Sequence, residues 1–558
     1  MCGIFCFCGL IYTESQLERP AKQIKHRGPD DYQSPAKTNG DDPVIFGFHR
    51  LKINGLDAGS NQPLKLGDNL TLICNGEIYN HQQLEKKYGF TTHSHSDCEV
   101  ILHMYQQFGI AQTLRELIGV YAFVLYDAEL GKVYAARDPI GIRPMFYGST
   151  CSQSAFLDDT RARVGIAFGS EAKCIYPLLD ADTVEQFPPG HYLVLDRDGF
   201  NSETMDLDFI NYFDLDLPEE ISSELSDADV HANIRKLIIE STAIRCNMSD
   251  RKVGVFLSGG LDSSLLAAIA IKYIPDLHSF AIGLEGSPDL KYSRVAAEAI
   301  GTKHTEVHFT VEEALHYLPD LVWHLETPDV TTIRASMPMY LLSKYIKEKT
   351  NITVILSGEG PDEVFSGYLY NHNAPSSEAL HNEAVWRVEE LHKYDVLRGD
   401  RTTSAWSLEV RVPLLDINII RYAFTLDPKL RDPKYNKNIE KYLIRKSFEG
   451  YLPDSILWRP KEAFSDGVGY DWVAGIKEHA EKTVTEAEWA SRAESYPVMT
   501  PETKEGLLYR QLYETHYKRT PSVGPLIKYI WLPKWSDHGG DPSATALDIH
   551  KTTVKKEN

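Results

Sequence analysis

The hydrophobic pattern of this 558-residue chain changes its period once, and that change limits the folds open to it. Up to about residue 195, short segments with an alternating pattern are bounded by Gly, Pro, Asn and Asp, which predicts β-strands. Beyond about residue 230, apolar strands alternate with segments of helical period, which predicts a parallel, doubly wound sheet. The clearest predicted strands are Val44–Phe48, Leu70–Cys74, Ala122–Tyr126, Val133–Ala136, Lys252–Leu257, Leu277–Ile282 and Ile352–Leu356.

A strongly acidic stretch separates the two regimes. Residues 196–229 include Asp206, Asp208, Asp214, Asp216, Glu219 and Glu220, so we interpret them as a linker or surface crossing. Apolar residues at helical spacing dominate from about Ala379 onward, and a polar tail follows Trp535. The sequence therefore predicts a β-rich domain over 1–195, an acidic linker over 196–229, an α/β domain with a helical C-terminal part over 230–535, and a tail over 536–558.

The net charge limits the classes of ligand, and the cysteines indicate the redox state of the compartment. A net charge of −21 argues against nucleic-acid or anionic-membrane binding, although it leaves room for a local basic pocket for a nucleotide. The eight cysteines form neither a disulfide framework nor the paired spacing of structural zinc, which indicates a reducing compartment. The sequence shows no signal peptide and no apolar run near the ~20 residues that span a bilayer, so we expect a soluble, cytoplasmic protein.

Cys2 combines a thiol with a free α-amine once Met1 is removed. An α-amine has a pKa of about 8, so it can take the thiol proton directly or through a water and make Cys2 a nucleophile. The segment Cys2–Cys8 would also suit a buried strand whose thiols only pack. Both interpretations are open from these residues alone, whereas a metal cluster of Cys2, Cys6 and Cys8 is disfavoured.

The segment Val255–Ser264 consists of a buried strand, a Gly-rich turn and the start of a helix. Glycines permit close approach of the backbone, and inward N–H groups with the helix N-terminus cradle an anion. The pattern Ser-Gly-Gly-x-Asp-Ser-Ser differs from the P-loop, so γ-phosphoryl transfer is not the expected chemistry. It resembles the pyrophosphatase-type loop of adenylating enzymes. A capped glycine turn without a ligand is the structural alternative.

A second acidic cluster, Leu356–Glu363, follows another predicted buried strand. Ligand sites of α/β sheets form at such strand ends, although three carboxylates in five residues also suit a solvated turn. Beside a phosphate cradle, Asp262 and Asp362 become candidate Mg²⁺ ligands, because Mg²⁺ prefers hard oxygen ligands while it bridges phosphates.

Motifs in the same order along nearly the whole chain resemble those of glutamine-hydrolysing asparagine synthetases. Besides the two loops above, the matching segments are Cys2–Ile4, His26–Asp30, Phe48–Leu51, Asn75–Asn80, Arg137–Pro144, Gly169–Lys173, Glu409–Pro413 and Arg459–Gly467. The resemblance implies an N-terminal-nucleophile glutaminase domain, an αββα sandwich, followed by an ATP-pyrophosphatase domain.

The resemblance also implies the roles of the first domain's residues. Cys2 would attack the glutamine amide, and the Asn75 side chain with the Gly76 N–H would form the oxyanion hole, each donor being worth about 3 kcal/mol. Arg50 suits the substrate α-carboxylate, although a surface ion pair is its structural alternative. Glu77 and Asp97 suit the α-ammonium. The implied glutamine-binding residues are Arg50, Leu51, Lys52, Ile53, Asn54, Asn75, Gly76, Glu77 and Asp97.

In the second domain the resemblance implies that aspartate attacks ATP, which releases pyrophosphate and forms β-aspartyl-AMP, and that ammonia then gives asparagine and AMP. Glu359 would promote formation of the intermediate, and Lys461 would pair with pyrophosphate unless it is merely solvated. Asp329, Thr331, Thr332 and Arg334 form the implied aspartate site. The implied ATP-binding residues are Leu257, Ser258, Gly259, Gly260, Asp262, Ser263, Ser264, Ile282, Ser357 and Gly358.

The resemblance further implies an internal ammonia tunnel and a homodimer. Two features depart from the family pattern: Pro361 stands where many relatives carry Ser, and residues 149–163 look like an insertion. We expect that insertion to be a surface loop.

Three other interpretations have weaker support. A β-lactam synthetase shares the architecture but typically lacks the N-terminal cysteine, so Cys2, Arg50, Asn75 and Asp97 argue against it. A phosphoribosyl amidotransferase would share the first domain alone and would not contain the Ser258–Ser264 loop. A catalytically silent homologue is disfavoured because the chain carries the residues that both half-reactions need.

Overall fold

The computed structural model describes residues 1–38, 42–152, 163–178, 184–197, 199, 207–215, 226–461, 467–517 and 527–535, in two compact units. Unit 1 contains Met1–Asp214, Ser404–Ser407 and Tyr517, and unit 2 contains Leu215–Thr403, Leu408–His516 and 527–535. The predicted tail, most of the predicted insertion and linker, and residues 462–466 lie outside the described residues.

Unit 1 is built mainly from short strands, as the alternating pattern predicts. In chain order its elements are β1 (Gly3–Cys8), α1 (Glu14–Ala21), β2 (Asp31–Lys37), β3 (Val44–Arg50), β4 (Leu64–Leu66), β5 (Leu70–Ile78), α2 (His81–Tyr88), α3 (Val100–Glu116), β6 (Gly119–Asp127), β7 (Lys132–Arg137), β8 (Phe146–Ser152), β9 (Arg163–Gly169), β10 (Val184–Gln186), β11 (His191–Asp196) and β12 (Phe209–Asn211).

These strands form two antiparallel sheets that pack face to face. One has the order β10-β8-β9-β1-β3-β2 and the other β12-β11-β7-β6-β5-β4. Side chains of both sheets, such as Phe46 and Val124, share one core, while Phe123 and Leu102 belong to a second core between the β6 sheet and the helices α2 and α3. On the other side, α1 contacts β2 and β3. The predicted αββα sandwich is confirmed.

The strand β5 shows why this arrangement follows from the sequence. Leu72 and Cys74 point to the helices, and Ile73 points to the opposing sheet. Successive side chains of a strand face opposite sides, so a stretch covered on both faces is mainly apolar rather than strictly alternating. This burial on both faces fixes the register of the strand that carries Asn75 and Gly76.

Unit 2 follows the predicted alternation of strands and helices. The elements after β12 are α4 (Asp227–Asn247), β13 (Lys252–Phe256), α5 (Leu261–Ala270), β14 (His278–Gly283), α6 (Pro288–Ile300), β15 (Lys303–His308), α7 (Val311–Leu325), α8 (Val330–Lys349), β16 (Ile352–Leu356), α9 (Pro361–Val364), α10 (Ser377–Glu390), α11 (Asp395–Ser404), β17 (Glu409–Arg411), α12 (Ile417–Thr425), α13 (Tyr442–Ser447), α14 (Asp454–Leu457), α15 (Tyr470–Thr483), α16 (Glu486–Ser495) and α17 (Lys504–Tyr517).

The strands of unit 2 form a parallel sheet of order β15-β14-β13-β16-β17, which confirms the predicted doubly wound fold. The strand order reverses between β13 and β16. In such sheets ligands bind beyond the carboxyl ends of the strands at the reversal. The Gly-rich turn after β13 and the acidic turn after β16 therefore meet where a ligand is expected.

Parts of the stretch predicted as a linker have regular structure. Phe209–Asn211 forms β12 and pairs with β11, and α4 begins at Asp227, where Ser226 accepts a hydrogen bond from the Asp229 N–H at 3.3 Å. Such a cap, with acidic residues in the first turn, is a common start of a helix, so the acidic composition did not exclude one. Among the described residues, none of the helices is both long and apolar enough to span a bilayer.

The core of unit 2 contains a buried tryptophan, Trp472, whose substitution tests the packing of that core. The Trp472 side chain is fully buried, and its indole N–H donates to the Arg334 carbonyl at 3.1 Å. We expect Trp472→Ala to destabilise the fold by about 3–5 kcal/mol because it leaves a cavity and an unpaired carbonyl. The matched control is Trp386→Ala, which removes an indole that is 44% exposed. Thermal unfolding of both variants would measure the difference, and equal midpoints would contradict the assignment of Trp472 to the core.

Candidate active sites

The first site is built around Cys2, which directly precedes β1. Gly3 pairs with His49 on β3, so Cys2 lies beside the end of that strand. The Cys2 Sγ donates to the Leu51 carbonyl at 3.6 Å, and the Arg27 Nε donates to the Cys2 carbonyl at 2.9 Å. These contacts hold the thiol at the edge of the sandwich.

Asn75 and Gly76 lie on β5, which contacts β1 across the sandwich. The Asn75 side chain is 1% exposed, yet its Nδ2 has no hydrogen-bond partner among the described residues. A Cβ at Gly76 would lie 2.5 Å from the Val120 carbonyl oxygen, so this strand pairing requires glycine. Buried donors without partners are rare, and this one suits an anion that forms during a reaction.

Arg50 is held by acceptors around its guanidinium. Its Nη1 donates to the Asp57 carbonyl at 2.8 Å and to the Asn61 side chain, and its Nη2 donates to the carbonyls of Asn54 and Gly55. The side chain is buried, so the surface ion pair considered above is not what the structure shows. This network fixes the orientation of the guanidinium.

The carboxylates of Glu77 and Asp97 meet at Asn54. The Asn54 Nδ2 donates to Glu77 and, at 3.4 Å, to the Asp97 Oδ1, while the Asp97 Oδ2 accepts the Ile78 N–H at 2.6 Å. Burial raises the pKa of Asp97. Because Asn54 also accepts from Arg50 through its carbonyl, the structure brings the predicted carboxylate-binding and ammonium-binding groups together.

A buried ionic cluster supports this site. Glu171, which is inaccessible to solvent, accepts from the Arg27 Nη1 at 2.8 Å, from the His26 Nε2 at 3.0 Å and from Lys173. Burial lowers the pKa of His26, and the Glu171 carboxylate opposes that change. The motifs His26–Asp30 and Gly169–Lys173 therefore orient Arg27, which in turn holds the Cys2 carbonyl.

The second site lies at the carboxyl ends of β13 and β16. Gly259 has a φ of +76°, and a Cβ there would lie 2.3 Å from the Tyr292 carbonyl carbon, so the turn requires glycine. The Ser258 N–H donates to the Ser263 Oγ at 3.2 Å, and the Arg459 Nη1 donates to the Gly259 carbonyl at 3.1 Å. The loop thus has a fixed conformation with its N–H groups near the start of α5.

Two carboxylates and two lysines meet beside this loop. The Lys441 Nζ lies 2.6 Å from the Asp262 Oδ2 and 2.7 Å from the Asp362 Oδ1, and the Lys461 Nζ lies 2.8 Å from the Asp362 Oδ2. Burial alone would raise the pKa of Asp362, but the two ammonium groups outweigh it and hold that pKa well below its usual value. For Lys461, Asp362 and Asp262 likewise outweigh burial and raise its pKa.

Asp262 and Asp362 also fit a divalent cation. The Asp262 Oδ1 is buried and has no hydrogen-bond partner among the described residues. Carboxylate oxygens are preferred Mg²⁺ ligands, and Mg²⁺ is commonly held by one or two carboxylates together with substrate phosphates. No cluster of three or more His, Cys, Asp or Glu side chains in the described part of the chain could hold a metal ion alone.

Glu359 follows β16 and lines a cavity at this end of the sheet, together with Asp262, Asp362 and Lys461. Its Oε2 accepts from the Arg398 Nη2 at 2.6 Å, and its Oε1 accepts from the Ser357 hydroxyl at 3.4 Å. Burial raises the pKa of Glu359, and the Arg398 charge opposes this effect. The carboxylate is therefore oriented by an arginine that was not among the residues expected from the sequence.

Most of the residues expected to bind ATP line this cavity. Gly259 and Ser264 are the two that do not line it. Those that line it are Leu257, Ser258, Gly260, Asp262, Ser263, Ile282, Ser357 and Gly358, together with Glu359, Asp362 and Lys461.

The four residues expected to bind aspartate have different environments. Thr331 lines the cavity. Arg334 forms a bidentate ion pair with the buried Glu505, with the Nε 2.7 Å from one carboxylate oxygen. Asp329 accepts from the Thr332 N–H at 2.8 Å and from the Trp531 N–H at 3.0 Å. Among these four residues, the structure places only Thr331 in the cavity wall.

Several cavity residues carried no recognisable signal in the sequence. Lys441 lies 179 residues from Asp262 and adopts a φ of +56°, which is uncommon for a residue other than glycine. Asp395 and Arg398 have the i,i+3 spacing of a helical ion pair, which alone predicts only surface stabilisation. Other cavity residues that the sequence reasoning missed include Tyr368, Tyr370 and Trp531.

Comparison with known proteins gives matches along the whole chain. The Glutamine amidotransferase domain family matches residues 1–205, and the Asparagine synthase family matches residues 233–379 and 372–531. The chain is 40% identical to a probable asparagine synthetase [glutamine-hydrolyzing] of Dictyostelium discoideum, with 100% of both chains covered.

An asparagine synthetase [glutamine-hydrolyzing] of Homo sapiens is 41% identical, again over 100% of both chains. Among solved structures, a glutamine phosphoribosylpyrophosphate amidotransferase of B. subtilis is 20% identical, covering 50% of this chain and 65% of that one, with a TM-score of 0.30. On the sequence matches and the two sites, the chain belongs to the asparagine synthase family of glutamine-hydrolysing enzymes.

Proposed function

We propose that the two sites divide the family reaction between them, with Cys2 hydrolysing glutamine in unit 1 and unit 2 activating aspartate with ATP. The protein is a glutamine-dependent asparagine synthetase. One observation carries the proposed division: unit 1 holds the Cys2 thiol next to β1 and an unpartnered buried amide on β5, which contacts β1, and unit 2 holds a glycine loop beside paired carboxylates and lysines.

In the glutaminase step, Met1 is first removed, so that the Cys2 α-amine can accept the thiol proton. The thiolate adds to the glutamine amide carbon, and the oxyanion accepts from the Asn75 Nδ2 and the Gly76 N–H. Collapse of this intermediate breaks the C–N bond, which releases ammonia and leaves a γ-glutamyl thioester. Water then hydrolyses the thioester to glutamate. Arg50 would hold the substrate carboxylate, and Glu77 with Asp97 its ammonium group.

In the synthetase step, the aspartate β-carboxylate attacks the α-phosphorus of ATP and pyrophosphate leaves. Ser258–Ser264 would receive the pyrophosphate on its N–H groups, and the Lys461 ammonium would neutralise its growing charge. Glu359, oriented by Arg398, would accept the proton that ammonia loses when it attacks the acyl carbon. That attack breaks the acyl–oxygen bond and yields asparagine and AMP.

Mg²⁺ is the cofactor that this site fits. Asp262 and Asp362 would hold it together with phosphate oxygens, where it supplies charge neutralisation to the leaving pyrophosphate. Lys441 contacts both carboxylates, so we assign it the role of keeping them adjacent.

Some expectations from the sequence stay proposals. These are the domain boundaries at residues 195, 229 and 535, the site assignments above, the homodimer, the ammonia tunnel, the cytoplasmic location and the absence of nucleic-acid or membrane partners. An effect of Pro361 on the rate is also a proposal, since Pro361 begins the short helix α9 next to Asp362.

The assignment of glutamine hydrolysis to unit 1 and of asparagine formation to unit 2 is tested with Cys2→Ala. We expect the variant to lose asparagine formation from glutamine by at least about 10³-fold because no thioester can form, while ammonium restores it. Asparagine, glutamate, AMP and pyrophosphate would be measured together. If the wild type forms glutamate without asparagine or AMP, unit 2 serves another acceptor or is inert, as in the β-lactam synthetase and silent-homologue interpretations.

The oxyanion hole is tested with Asn75→Ala. We expect kcat for glutamine hydrolysis to fall by about 10²–10³-fold with a smaller change in KM, because the donor acts on the intermediate rather than on bound substrate. Ammonium-dependent synthesis serves as the internal control and should be unchanged. A loss that appears mainly in KM would instead assign Asn75 to substrate binding.

The pyrophosphate contact is tested with Lys461→Met, with Lys482→Met as the control. Lys482 pairs with Glu478 on the surface, and its side chain is 72% exposed. We expect ammonium-dependent pyrophosphate release to fall by about 10²-fold or more in Lys461→Met, because a charge on the leaving group is no longer neutralised. Glutamine hydrolysis should persist in both variants. Wild-type pyrophosphate release by Lys461→Met would exclude this role.

A further inference from the structure

The segment 527–535, here called the C-terminal segment, crosses one end of the cavity in unit 2. Trp531 is fastened through its backbone: its N–H donates to the Asp329 Oδ1 at 3.0 Å, and its carbonyl accepts from the Thr331 hydroxyl at 3.4 Å. The Arg387 Nη2 donates to the Leu532 carbonyl at 2.7 Å. The segment is therefore held along its length by residues of the helices beneath it.

The Trp531 indole forms part of the cavity wall. Its ring is 5.4 Å from the Tyr368 ring and 6.2 Å from the Tyr370 ring, and the Arg387 guanidinium lies 4.9 Å from its centre. Trp531 is only 9% exposed, and it lines the cavity with Pro533. A large rigid side chain thus separates this end of the cavity from solvent.

A chain of contacts connects Trp531 to Glu359. Tyr368, which packs on the indole, donates to Glu363 and lies 3.4 Å from the Asp395 carboxylate. Arg398 lies 2.6 Å from that carboxylate and 2.6 Å from Glu359. Trp531 is hydrogen-bonded to Asp329 and Thr331, two of the residues that the resemblance implies for the aspartate site, so the indole lies at the end of the cavity where aspartate would bind.

We infer that Trp531 closes the acceptor end of the cavity and keeps water away from β-aspartyl-AMP. This inference rests on the proposed function. Water and ammonia attack the same acyl carbon, and both break the acyl–oxygen bond and release AMP. With ammonia the other product is asparagine, whereas with water it is aspartate and a proton, so one ATP is consumed without product. Exclusion of water from a closed site suppresses this loss.

The test compares AMP with asparagine in wild type, Trp531→Ala and Trp531→Phe, with ammonium as the nitrogen donor. Wild type and Trp531→Phe should each form as much AMP as asparagine, because phenylalanine retains an aromatic ring in the cavity wall. Trp531→Ala should form about threefold more AMP than asparagine, because water now reaches the intermediate. Trp386→Ala, which removes an exposed indole outside the cavity lining, is the matched control and should resemble wild type.

The ratio of AMP to asparagine distinguishes closure of the cavity by Trp531 from a general role of Trp531 in folding. A variant that only misfolds in part would lose AMP and asparagine together and keep their ratio, and that result would overturn the inference. If Trp531→Ala does not fold, Trp531→Leu takes its place, and a ratio equal to that of Trp531→Phe would overturn the inference equally. If the wild type forms no asparagine from ammonium, the proposed function itself fails.

Discussion

The close approach of two turns at the carboxyl ends of β13 and β16 determines the second site. A Cβ on Gly358 would lie 3.0 Å from the Ser263 nitrogen and 3.1 Å from the Asp262 carbonyl carbon. This proximity lets Asp262 and Asp362 contact one lysine. Gly367 leaves room for that lysine, since a Cβ there would lie 2.0 Å from the Lys441 Cε. Glycines that carry no chemistry thus decide where the charged groups meet.

The local charge balance explains how an acidic chain can bind a nucleotide. The net charge is −21, yet in this cavity Asp262 and Asp362 share Lys441, Asp362 also pairs with Lys461, and Glu359 pairs with Arg398. Removing one partner of a buried pair typically costs about 3–5 kcal/mol, because the remaining charge is left without compensation. On the proposed function, an incoming polyphosphate with its cation would exchange one set of ion pairs for another and would leave no carboxylate uncompensated.

The sequence predicted strands and turns, which depend on neighbouring residues, and missed contacts between residues that lie far apart in the chain. The strand Ile352–Leu356 has its predicted bounds, and the Gly-rich turn lies where its pattern placed it. Lys441, in contrast, meets Asp262 across 179 positions, and Trp531 meets Asp329 across 202. No local periodicity encodes such pairs. The thiol and α-amine of Cys2 made it a candidate from the sequence and the resemblance supplied Asn75, but the geometry alone shows that Arg334 is occupied by Glu505.

In the first site, the Arg50 guanidinium has hydrogen-bond acceptors around it, whereas the Asn75 side-chain amide has no partner for its Nδ2 among the described residues. The acceptors around Arg50 fix the position of its guanidinium, so on the proposed function it would contribute mainly to substrate binding. Asn75 is buried with an unpartnered amide, which costs about 1–3 kcal/mol in the free enzyme. An oxyanion that exists only after Cys2 attacks would recover this energy, so the gain falls on the transition state rather than on bound glutamine. On the proposed function, this unsatisfied amide would therefore lower the energy of the transition state rather than that of bound glutamine.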